Sequence, residues 1–360
     1  IIAPDGAHLR FGAGGPEAEI AIRDWRTLPA LLARGDIGFG EANAEGWWES
    51  PDLETQFAFG LNKQHALGAM LRGSPWSRWR YALQDALLRD NSHRGAQRNI
   101  HAHYDLGNAF YTLWLDESMT YSSALYHAPN EDLSAAQQRK YDRLLAAAPG
   151  ARVLEIGCGW GGFAARAAER GRDVTAITIS PAQQEYAARR LGARAEIRLL
   201  DYRDVAGRFD AIVSIEMIEA VGERRWPVYF RALKRALAEN GRAALQAIVV
   251  RDETFQAYKT RSDFIRRNIF PGGMLLTPGR IRSEAARAGL AAENAFHFGP
   301  HYARTLRAWR ARFDRAEASV RALGWRERQL RTWRFYLSSC AALFETGATD
   351  VMQIELRHAG

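Results

Sequence analysis

The sequence predicts an α/β protein in which a doubly wound, mostly parallel, Rossmann-like sheet carries helices on both faces and follows a smaller α+β domain. Three observations support this prediction. Short apolar or β-branched runs alternate with helical patterns beyond residue 95, which is typical of a parallel sheet between two layers of helices. One of these runs leads directly into a glycine-rich turn. The first 60 residues lack the alternation.

The N-terminal region is predicted as short strands and turns around one helix. Residues 8–11 and 18–22 are strand-like and bounded by Gly or Pro. A helix is predicted from Trp25 to Arg34, because the leucines within it fall on one face. The polar, unpatterned stretch 89–95 predicts a linker. We therefore expect two domains, an N-terminal lipid-facing or membrane-facing domain at 1–95 and a catalytic domain at 96–360.

The predicted strands of the second domain are short and bounded by polar residues or glycines. Five of them are apolar enough for a buried parallel sheet, namely 153–156, 174–179, 197–200, 211–215 and 243–250. The tail 351–356 alternates apolar and polar residues, so we expect it to form a final edge strand.

Composition narrows the classes of partner. The chain has 360 residues and a net charge of +8, and nearly all of its basic side chains are Arg. Such a surplus of positive charge suits an anionic membrane or nucleic acid as a partner. It could also simply reflect genome composition. No recognisable nucleic-acid module is present, so nucleic acid is not expected. Two cysteines are too few for a disulfide framework, and no apolar run approaches the roughly 20 residues of a membrane span. We expect a cytoplasmic protein whose natural chain begins upstream of Ile1.

The strongest local signal is a glycine-rich loop after the run 153–156. Gly157, Gly159 and Gly161 alternate with Cys158 and Trp160, and a helix is predicted from about Phe163. Glycines allow a tight turn and close approach of a ligand, and a helix N-terminus offers free N–H groups to an anion. The loop alone does not separate a methyltransferase from a dinucleotide-binding protein.

Polar residues near the loop favour S-adenosylmethionine (SAM) as the cofactor. Glu155 precedes the glycines, as in class I methyltransferases. Hydroxyl and amide groups after the next strand can bind a ribose or an amino acid, and an acid and an aromatic ring after the third strand can bind adenine. These candidates are Thr178, Ser180, Gln183, Asp201 and Tyr202. Thr178 and Ser180 could instead cap a helix, and Cys158 is expected to be a packing thiol.

With these residues, the chain resembles the cyclopropane-fatty-acyl-phospholipid synthase family, which includes the mycolic acid methyltransferases. The resemblance spans about residues 20 to 358 and rests on the segments 102–108, 119–124, 157–162, 216–222, 269–273 and 301–306. It implies a SAM-dependent enzyme that adds one carbon to the cis double bond of an acyl chain, usually within a membrane phospholipid, and forms a cyclopropane. A C-methyltransferase giving methyl-branched or methylated unsaturated chains is the alternative. The resemblance also places Tyr121 and Ser122 at the cofactor.

The resemblance further implies a bicarbonate ion as a candidate second cofactor beside the sulfonium methyl group. Position by position, the family's anion ligands fall on Glu219, Tyr302 and the backbone of Ile248. Two ligands depart from the pattern, because Ser123 stands for a Cys and Gln246 for a His. Both side chains can still donate to an anion, but bicarbonate dependence is left open.

Each catalytic candidate has an expected role. Glu219 is predicted to remove the proton after methyl transfer or to hold the ion that does, so Glu219→Gln should lower turnover by about two to four orders of magnitude. Tyr121, Phe270 and Tyr302 are predicted to form an aromatic wall around the carbocation. Glu216 is expected to be structural or solvent-facing, and no metal site is expected, because His101 and His103 lack further ligands.

The lipid substrate implies a protein that docks on the inner face of a membrane. The segment 76–80 and the segment around Trp309 combine Arg with Trp and are predicted to contact an anionic surface, although these tryptophans could instead pack between the domains. A small-molecule methyltransferase and a non-enzymatic lipid scaffold are the competing classes. The oligomeric state is open, with a homodimer as one candidate.

Overall fold

A computed structural model describes residues 1–11, 17–63, 73–77, 79–81 and 106–360. Nine strands are named in chain order: β1 (Ala21–Ile22), β2 (Trp48–Glu49), β3 (Arg152–Ile156), β4 (Asp173–Thr178), β5 (Glu196–Leu199), β6 (Phe209–Ile215), β7 (Leu237–Val250), β8 (Leu290–His297) and β9 (Thr349–His358).

The helices of the described residues are α1 (Thr27–Ala44), α2 (Leu53–Asn62), α3 (Asn108–Thr112), α4 (Leu133–Ala147), α5 (Gly162–Glu169), α6 (Pro181–Leu191), α7 (Trp226–Ala236), α8 (Phe255–Lys259), α9 (Phe264–Asn268), α10 (Pro278–Arg287), α11 (Gly299–Arg315), α12 (Glu317–Ala322) and α13 (Glu327–Glu345).

The main sheet has seven strands in the order β5-β4-β3-β6-β7-β9-β8. Strands β5, β4, β3, β6 and β7 pair in parallel, while β9 runs antiparallel to both of its neighbours. The predicted doubly wound, mostly parallel sheet is therefore confirmed. Its strand order reverses direction at β3 and β6, and ligands bind at such switch points, outside the carboxyl ends of the strands.

The sheet core forms because its central strands are apolar on both faces. Val153, Leu154, Ile212 and Val213 are fully buried, as expected for parallel strands covered by helices on both sides. The amphipathic helix α7 supplies Trp226 and further aromatic rings to one of these faces. This packing fixes the carboxyl ends of β3 and β6, where the candidate site lies.

The predicted edge strand at 351–356 is a strand, but its placement at an edge is wrong. Strand β9 lies between β7 and β8, and Ile354 pairs with Leu245 of β7. Of the alternating polar residues, Gln353 is buried and donates to Gln246 across the pair, at 2.9 Å, and Glu355 is partly buried. The edge is formed instead by β8.

The N-terminal region packs on the last helix of the chain. The aromatic ring of Trp48, which follows α1, lies on Phe39 and near Phe335 of α13, and Arg307 of α11 donates to Glu54 of α2. The predicted helix at 25–34 begins at Thr27 and continues past a kink at Gly35, where φ is 62°. Residues 8–11 form a single bridge, Ile2 to His8, rather than a strand.

Several sequence predictions fall outside the described residues: the linker 89–95, the domain boundary near residue 95, His101, His103 and the first residues of the 102–108 segment. The division into two domains stays a prediction. Among the described residues, no helix has the length and apolar character required to cross a membrane.

Candidate active site

Two cavities meet at the carboxyl ends of β3 and β6. The smaller one, about 160 Å³, is lined by the glycine loop and by residues after β4 and β5. The larger one, about 1680 Å³, extends from the sheet to the N-terminal region. Tyr121, Glu216 and Ala220 line both cavities. Ligands bound in the two cavities can therefore contact each other beside Tyr121 and Glu216.

The glycine loop forms the wall of the smaller cavity. Gly157 and Gly159 have φ values of 82° and 52°, which glycine adopts without steric cost. The loop is held against β4, because Gly157 and Cys158 both donate their N–H groups to the carbonyl of Ile177. A side chain at Gly159 would meet no protein atom within 4 Å. This empty space is where a ligand can approach the backbone.

Glu155, the last acidic residue of β3, lies at the base of the smaller cavity. It is 3% exposed, and its Oε2 has no hydrogen-bond partner. Burial raises the pKa of Glu155 to about 8, while the nearby Lys140 opposes the shift. An unsatisfied buried carboxylate oxygen costs free energy unless a ligand supplies a donor, and a cofactor with an amine or hydroxyl group would do so.

The residues after β4 divide into cavity lining and helix cap. Thr178 and Gln183 line the cavity, and the Thr178 hydroxyl donates to Gln183 Oε1 at 2.9 Å. Ser180 does not line the cavity. Its side chain instead accepts from the N–H of Gln183 and caps α6. Gly161, which precedes α5, also lies outside the lining of the cavity. It faces Ala187 and Leu191 of α6 instead.

Asp201 and Tyr202 lie where the sequence predicted them, at the rim of the smaller cavity after β5. The Asp201 carboxylate accepts from the guanidinium of Arg203, at 2.7 Å. The ring of Tyr202 packs edge-on against Tyr229, and burial raises its pKa to about 12. Ser122 also lines this cavity.

The carboxylate of Glu216 accepts three hydrogen bonds at the junction of the two cavities. Its Oε1 accepts from the N–H of Ser123 at 2.9 Å and from Nε2 of Gln246 at 2.7 Å. Its Oε2 accepts from the hydroxyl of Tyr302 at 2.9 Å. Burial raises the pKa of Glu216, and the charge of Lys140 opposes that shift. The expectation that Glu216 is solvent-facing is therefore wrong.

Backbone geometry explains why Glu216 points inward. Its φ is 49°, a left-handed conformation that costs a non-glycine residue on the order of 1–3 kcal/mol. The N–H of Glu216 donates to the carbonyl of Gln246, at 2.8 Å. Strain of this kind persists only where the surroundings impose it, and it is concentrated at functional sites.

Glu219 lies one turn further along the chain and has a different environment. Its Oε1 accepts from the N–H of Ile248 at 2.6 Å, and its Oε2 is buried without a hydrogen-bond partner. Burial raises its pKa to about 8, and the charge of Glu216 adds to the shift. Ser123, Gln246 and Tyr302, predicted as partners of Glu219 or of bicarbonate, instead contact Glu216.

The residues fit SAM, whereas the donors implied for a bicarbonate ion are already hydrogen-bonded within the protein. The Ser123 N–H, the Gln246 amide and the Tyr302 hydroxyl all donate to Glu216. The Ile248 N–H donates to Glu219, and the Ser123 hydroxyl donates to the carbonyl of Ala124. Each donor implied as a ligand of the ion therefore already has an acceptor within the protein, whereas Oε2 of Glu219 has none.

Aromatic rings surround the Glu216 carboxylate on the side of the larger cavity. Tyr121, Phe270 and Tyr302, predicted from the sequence, line it, and Tyr121 stacks on Phe270. Helix α13 adds two rings that sequence reasoning missed. The Tyr336 hydroxyl lies 2.8 Å from that of Tyr121, and Phe344 stacks on Tyr302 at 4.5 Å between ring centroids.

The fold and the site define a class I SAM-dependent methyltransferase. The family model for mycolic acid cyclopropane synthetase matches residues 91–354, and this chain belongs to that family. The tuberculostearic acid methyltransferase UfaA1 of Mycobacterium tuberculosis is 40% identical over 97% of this chain and 86% of its own length. The cyclopropane-fatty-acyl-phospholipid synthase of Escherichia coli K12 is 33% identical over 95% of this chain and 88% of its own.

A solved structure agrees with this assignment. The mycolic acid cyclopropane synthase CmaA1, complexed with S-adenosylhomocysteine (SAH) and CTAB, gives a TM-score of 0.67 at 29% identity and covers 72% of this chain and 97% of that chain. The expected family, fold class and SAM cofactor are confirmed. The chain is thus a SAM-dependent methyltransferase of a lipid-modifying family.

Proposed function

We propose that this enzyme transfers a methyl group to the double bond of an unsaturated acyl chain in a membrane phospholipid, and that the Glu216 carboxylate then removes a proton from the product cation. The observation that carries the proposal is the position of Glu216. Its carboxylate lies at the junction of the two cavities and accepts from the backbone N–H of Ser123 and from the side chains of Gln246 and Tyr302, three positions that the family resemblance assigns to an anion site.

SAM, when bound, supplies a strongly electrophilic methyl group. The cavity residues that would hold it are Tyr121, Ser122, Glu155, Gly157, Gly159, Thr178, Gln183, Asp201 and Tyr202. In the acyl chain, the π electrons of the double bond form the new carbon–carbon bond, and the other alkene carbon becomes a cation. For an open-chain product, Glu216 takes a proton from a chain carbon next to the cationic carbon, and the electrons of that C–H bond form a new double bond. Loss of a proton from the added methyl group closes the cyclopropane instead, or leaves an exomethylene group when a 1,2-hydride shift has first moved the cation to the methylated carbon.

The protein must stabilise the cation without admitting water. The rings of Tyr121, Phe270, Tyr302 and Tyr336 line the larger cavity, and aromatic faces attract cations in a desolvated site. The buried Glu219 carboxyl lies in the same lining and, when ionised, adds negative charge near the cation. Glu216 remains the proposed base, because hydrogen bonds fix both of its oxygens.

The size of the larger cavity supports an intact lipid as the substrate. Its volume of about 1680 Å³ exceeds the roughly 300–1,000 Å³ of typical ligand pockets. Its lining continues from Tyr302 to Leu9 and Phe11 near the N-terminus. The E. coli relative is named for a phospholipid substrate, which agrees with this assignment.

We propose an open-chain methylated product, with the cyclopropane as the second candidate. Ser123 and Gln246 depart from the residues that the cyclopropane synthase resemblance implies. The Gln246 amide donates to the fixed carboxylate of Glu216, and the Ser123 hydroxyl donates to the carbonyl of Ala124. The relative named as a tuberculostearic acid methyltransferase is 40% identical. The family model and the E. coli relative, both named for cyclopropane synthesis, favour the second candidate.

Isotope labelling tests this function. Purified enzyme is given methyl-deuterated SAM and vesicles of an oleoyl phospholipid, and the lipid product is analysed by mass spectrometry before and after catalytic hydrogenation. We expect a labelled product that takes up hydrogen, because it keeps a double bond. Two retained deuterium atoms indicate proton loss from the added methyl group, and three indicate loss from the chain.

A labelled product that resists hydrogenation would establish the cyclopropane instead. The double variant Ser123→Cys/Gln246→His should raise the fraction of ring product if the two departures altered the outcome. A folded, SAM-binding enzyme that labels no lipid under any of these conditions would contradict the proposed function.

We also propose that the mouth of the larger cavity docks on an anionic membrane. Leu9, Phe11, Leu28 and Phe59 line this cavity and are between 36% and 72% exposed, so its lining reaches the surface as an apolar rim. Among the described residues, Trp76 and Trp79 are also exposed and stack on each other. The predicted contact at Trp309 is wrong, because that side chain is fully buried.

Replacing Phe11 and Leu28 by Ala should weaken binding to anionic vesicles at least about fivefold, since each buried apolar side chain contributes roughly 1.5–3 kcal/mol. Binding is measured by vesicle sedimentation at low and high salt, and added salt should weaken wild-type binding because of the net charge of +8. Leu199→Ala and Leu323→Ala remove exposed leucines that do not line the cavity and serve as controls. Equal losses in both sets would argue against the rim.

A further inference from the structure

A buried lysine lies beneath the junction of the two cavities. Lys140 is on α4 and is completely inaccessible to solvent. A buried ammonium group is costly unless it is paired, so its retention requires partners. Its Nζ donates to the hydroxyl of Ser122 at 2.7 Å and lies 4.7 Å from the ring centroid of Tyr141.

Helix α4 holds the loop that forms one side of the site. Besides the contact of Lys140, the side chain of Gln137 donates to the carbonyl of Ser122 at 3.0 Å, and Leu125 donates its N–H to the carbonyl of Ala136. The held segment includes Tyr121, which lines both cavities, and Ser123, which donates to Glu216. Movement of Lys140 would therefore be transmitted to the base through two residues.

The charge of Lys140 also acts on the acids around it. Burial lowers the pKa of Lys140 to about 7, although the charges of Glu216, Asp116 and Glu155 each oppose the shift. Glu216 in turn faces Lys140, Glu219 and Tyr302, together with the donors Gln246 and Ser123. Among these groups, Lys140 supplies the positive charge that favours the ionised form of Glu216.

We propose that Lys140 is a positioning residue for methyl transfer, which anchors the loop at Ser122 and supplies a buried positive charge to the acids of the site. This inference rests on the proposed role of Glu216. It assigns two separable functions to one side chain: the hydrogen bond to Ser122 sets geometry, and the charge sets the pH range in which the base works. The two functions can be tested with different variants.

The test is the pH dependence of kcat/KM for lipid methylation by the full chain, with oleoyl phospholipid vesicles as substrate. A base must be ionised, so activity falls as pH drops through the pKa of Glu216. Removing an opposite charge raises a carboxyl pKa by about 1 to 3 units. In Lys140→Met, the fall of kcat/KM on the acid side of the pH profile, the acid limb, should therefore move to higher pH by that amount. Below this limb, kcat/KM should be at least tenfold lower than in the wild type. Lys140→Arg, which keeps the charge, should retain the wild-type limb.

Ser122→Ala removes the anchoring contact and leaves the charge. We expect this variant to lower kcat and to leave the acid limb of the pH profile at its wild-type position. A merely structural role of Lys140 would not separate the effect on kcat from the effect on the pH profile. Lys234→Met, at an exposed position on α7, is the control for loss of a lysine and should change neither quantity. Calorimetry with SAM verifies that each variant is folded and binds the cofactor.

A folded Lys140→Met enzyme with an unmoved acid limb would overturn the charge role, and unchanged turnover in Ser122→Ala would overturn the anchoring role. If Lys140→Met does not fold, Lys140→Arg provides the test. An acid limb that is shifted from the wild-type pH in Lys140→Arg would overturn the charge role, and an acid limb at the wild-type pH would support it. Failure of the proposed base is distinguishable, because Glu216→Gln would then keep its turnover whatever the Lys140 variants do.

Discussion

Glu216→Gln is expected to lower turnover by about two to four orders of magnitude, the usual contribution of a positioned general base, while SAM binding persists. Gln has nearly the same shape, so one of its atoms can still accept from Ser123 or Tyr302. It cannot accept a proton, and the cation formed by methyl transfer would have no fixed acceptor. Turnover is measured as label transferred from SAM to lipid, and SAM affinity is measured by calorimetry.

The matched control is Glu219→Gln, three residues along the same segment. Sequence reasoning expected the large loss there, but the structure places the donor groups on Glu216. An amide at position 219 still accepts from the Ile248 N–H, so we now expect a loss of only about tenfold, from the missing charge. A large loss at Glu219 with near wild-type turnover at Glu216 would reverse the two roles.

Gly159→Val is expected to weaken SAM binding by more than about a hundredfold, because ligand and side chain would occupy the same space. No protein atom lies within 4 Å of the added Cβ, so the substitution meets only the smaller cavity. The φ of 52° makes any side chain costly there, by roughly 1–2 kcal/mol. A loss of affinity in a folded variant therefore locates the cofactor.

Gly171→Val separates these two effects. Gly171 also has a positive φ, 74°, and open space around its Cβ position, but it lies outside the lining of both cavities. It should lose a similar amount of stability, measured as the free energy of unfolding in urea, and keep wild-type SAM affinity. Equal affinities in the two variants would show that the cofactor does not contact the Gly159 backbone.

The sequence predicted the sheet and the glycine loop because both depend on local patterns. Buried β-branched runs such as 153–156 can form few other structures, and Gly157 and Gly159 mark a turn by their conformational freedom. The order of the last strands could not be predicted in this way. Alternation in 351–356 does not reveal that β9 pairs on both sides, because its partner β8 is some 50 residues away.

Many residues of the candidate site were named from the sequence, but Glu216 was expected to be structural or solvent-facing and its donors were assigned to Glu219. The two carboxylates follow the same strand, and the sequence does not show that Glu216, with its left-handed backbone, is the one that meets Gln246. The position of Glu216 directly after β6 was the available signal, since ligands bind at the carboxyl ends of such strands. Tyr336 and Lys140 were missed because a helical pattern does not show which side chains reach a distant loop.

In the proposed mechanism, the carboxylate of Glu216 takes the place of a bicarbonate ion. The most direct test is wild-type turnover in buffer freed of carbon dioxide and bicarbonate, compared with the same buffer after bicarbonate is added. We predict the same rate in both, because Glu216 already accepts the hydrogen bonds of Ser123, Gln246 and Tyr302. A rate that collapses on depletion and returns with added bicarbonate would contradict this account.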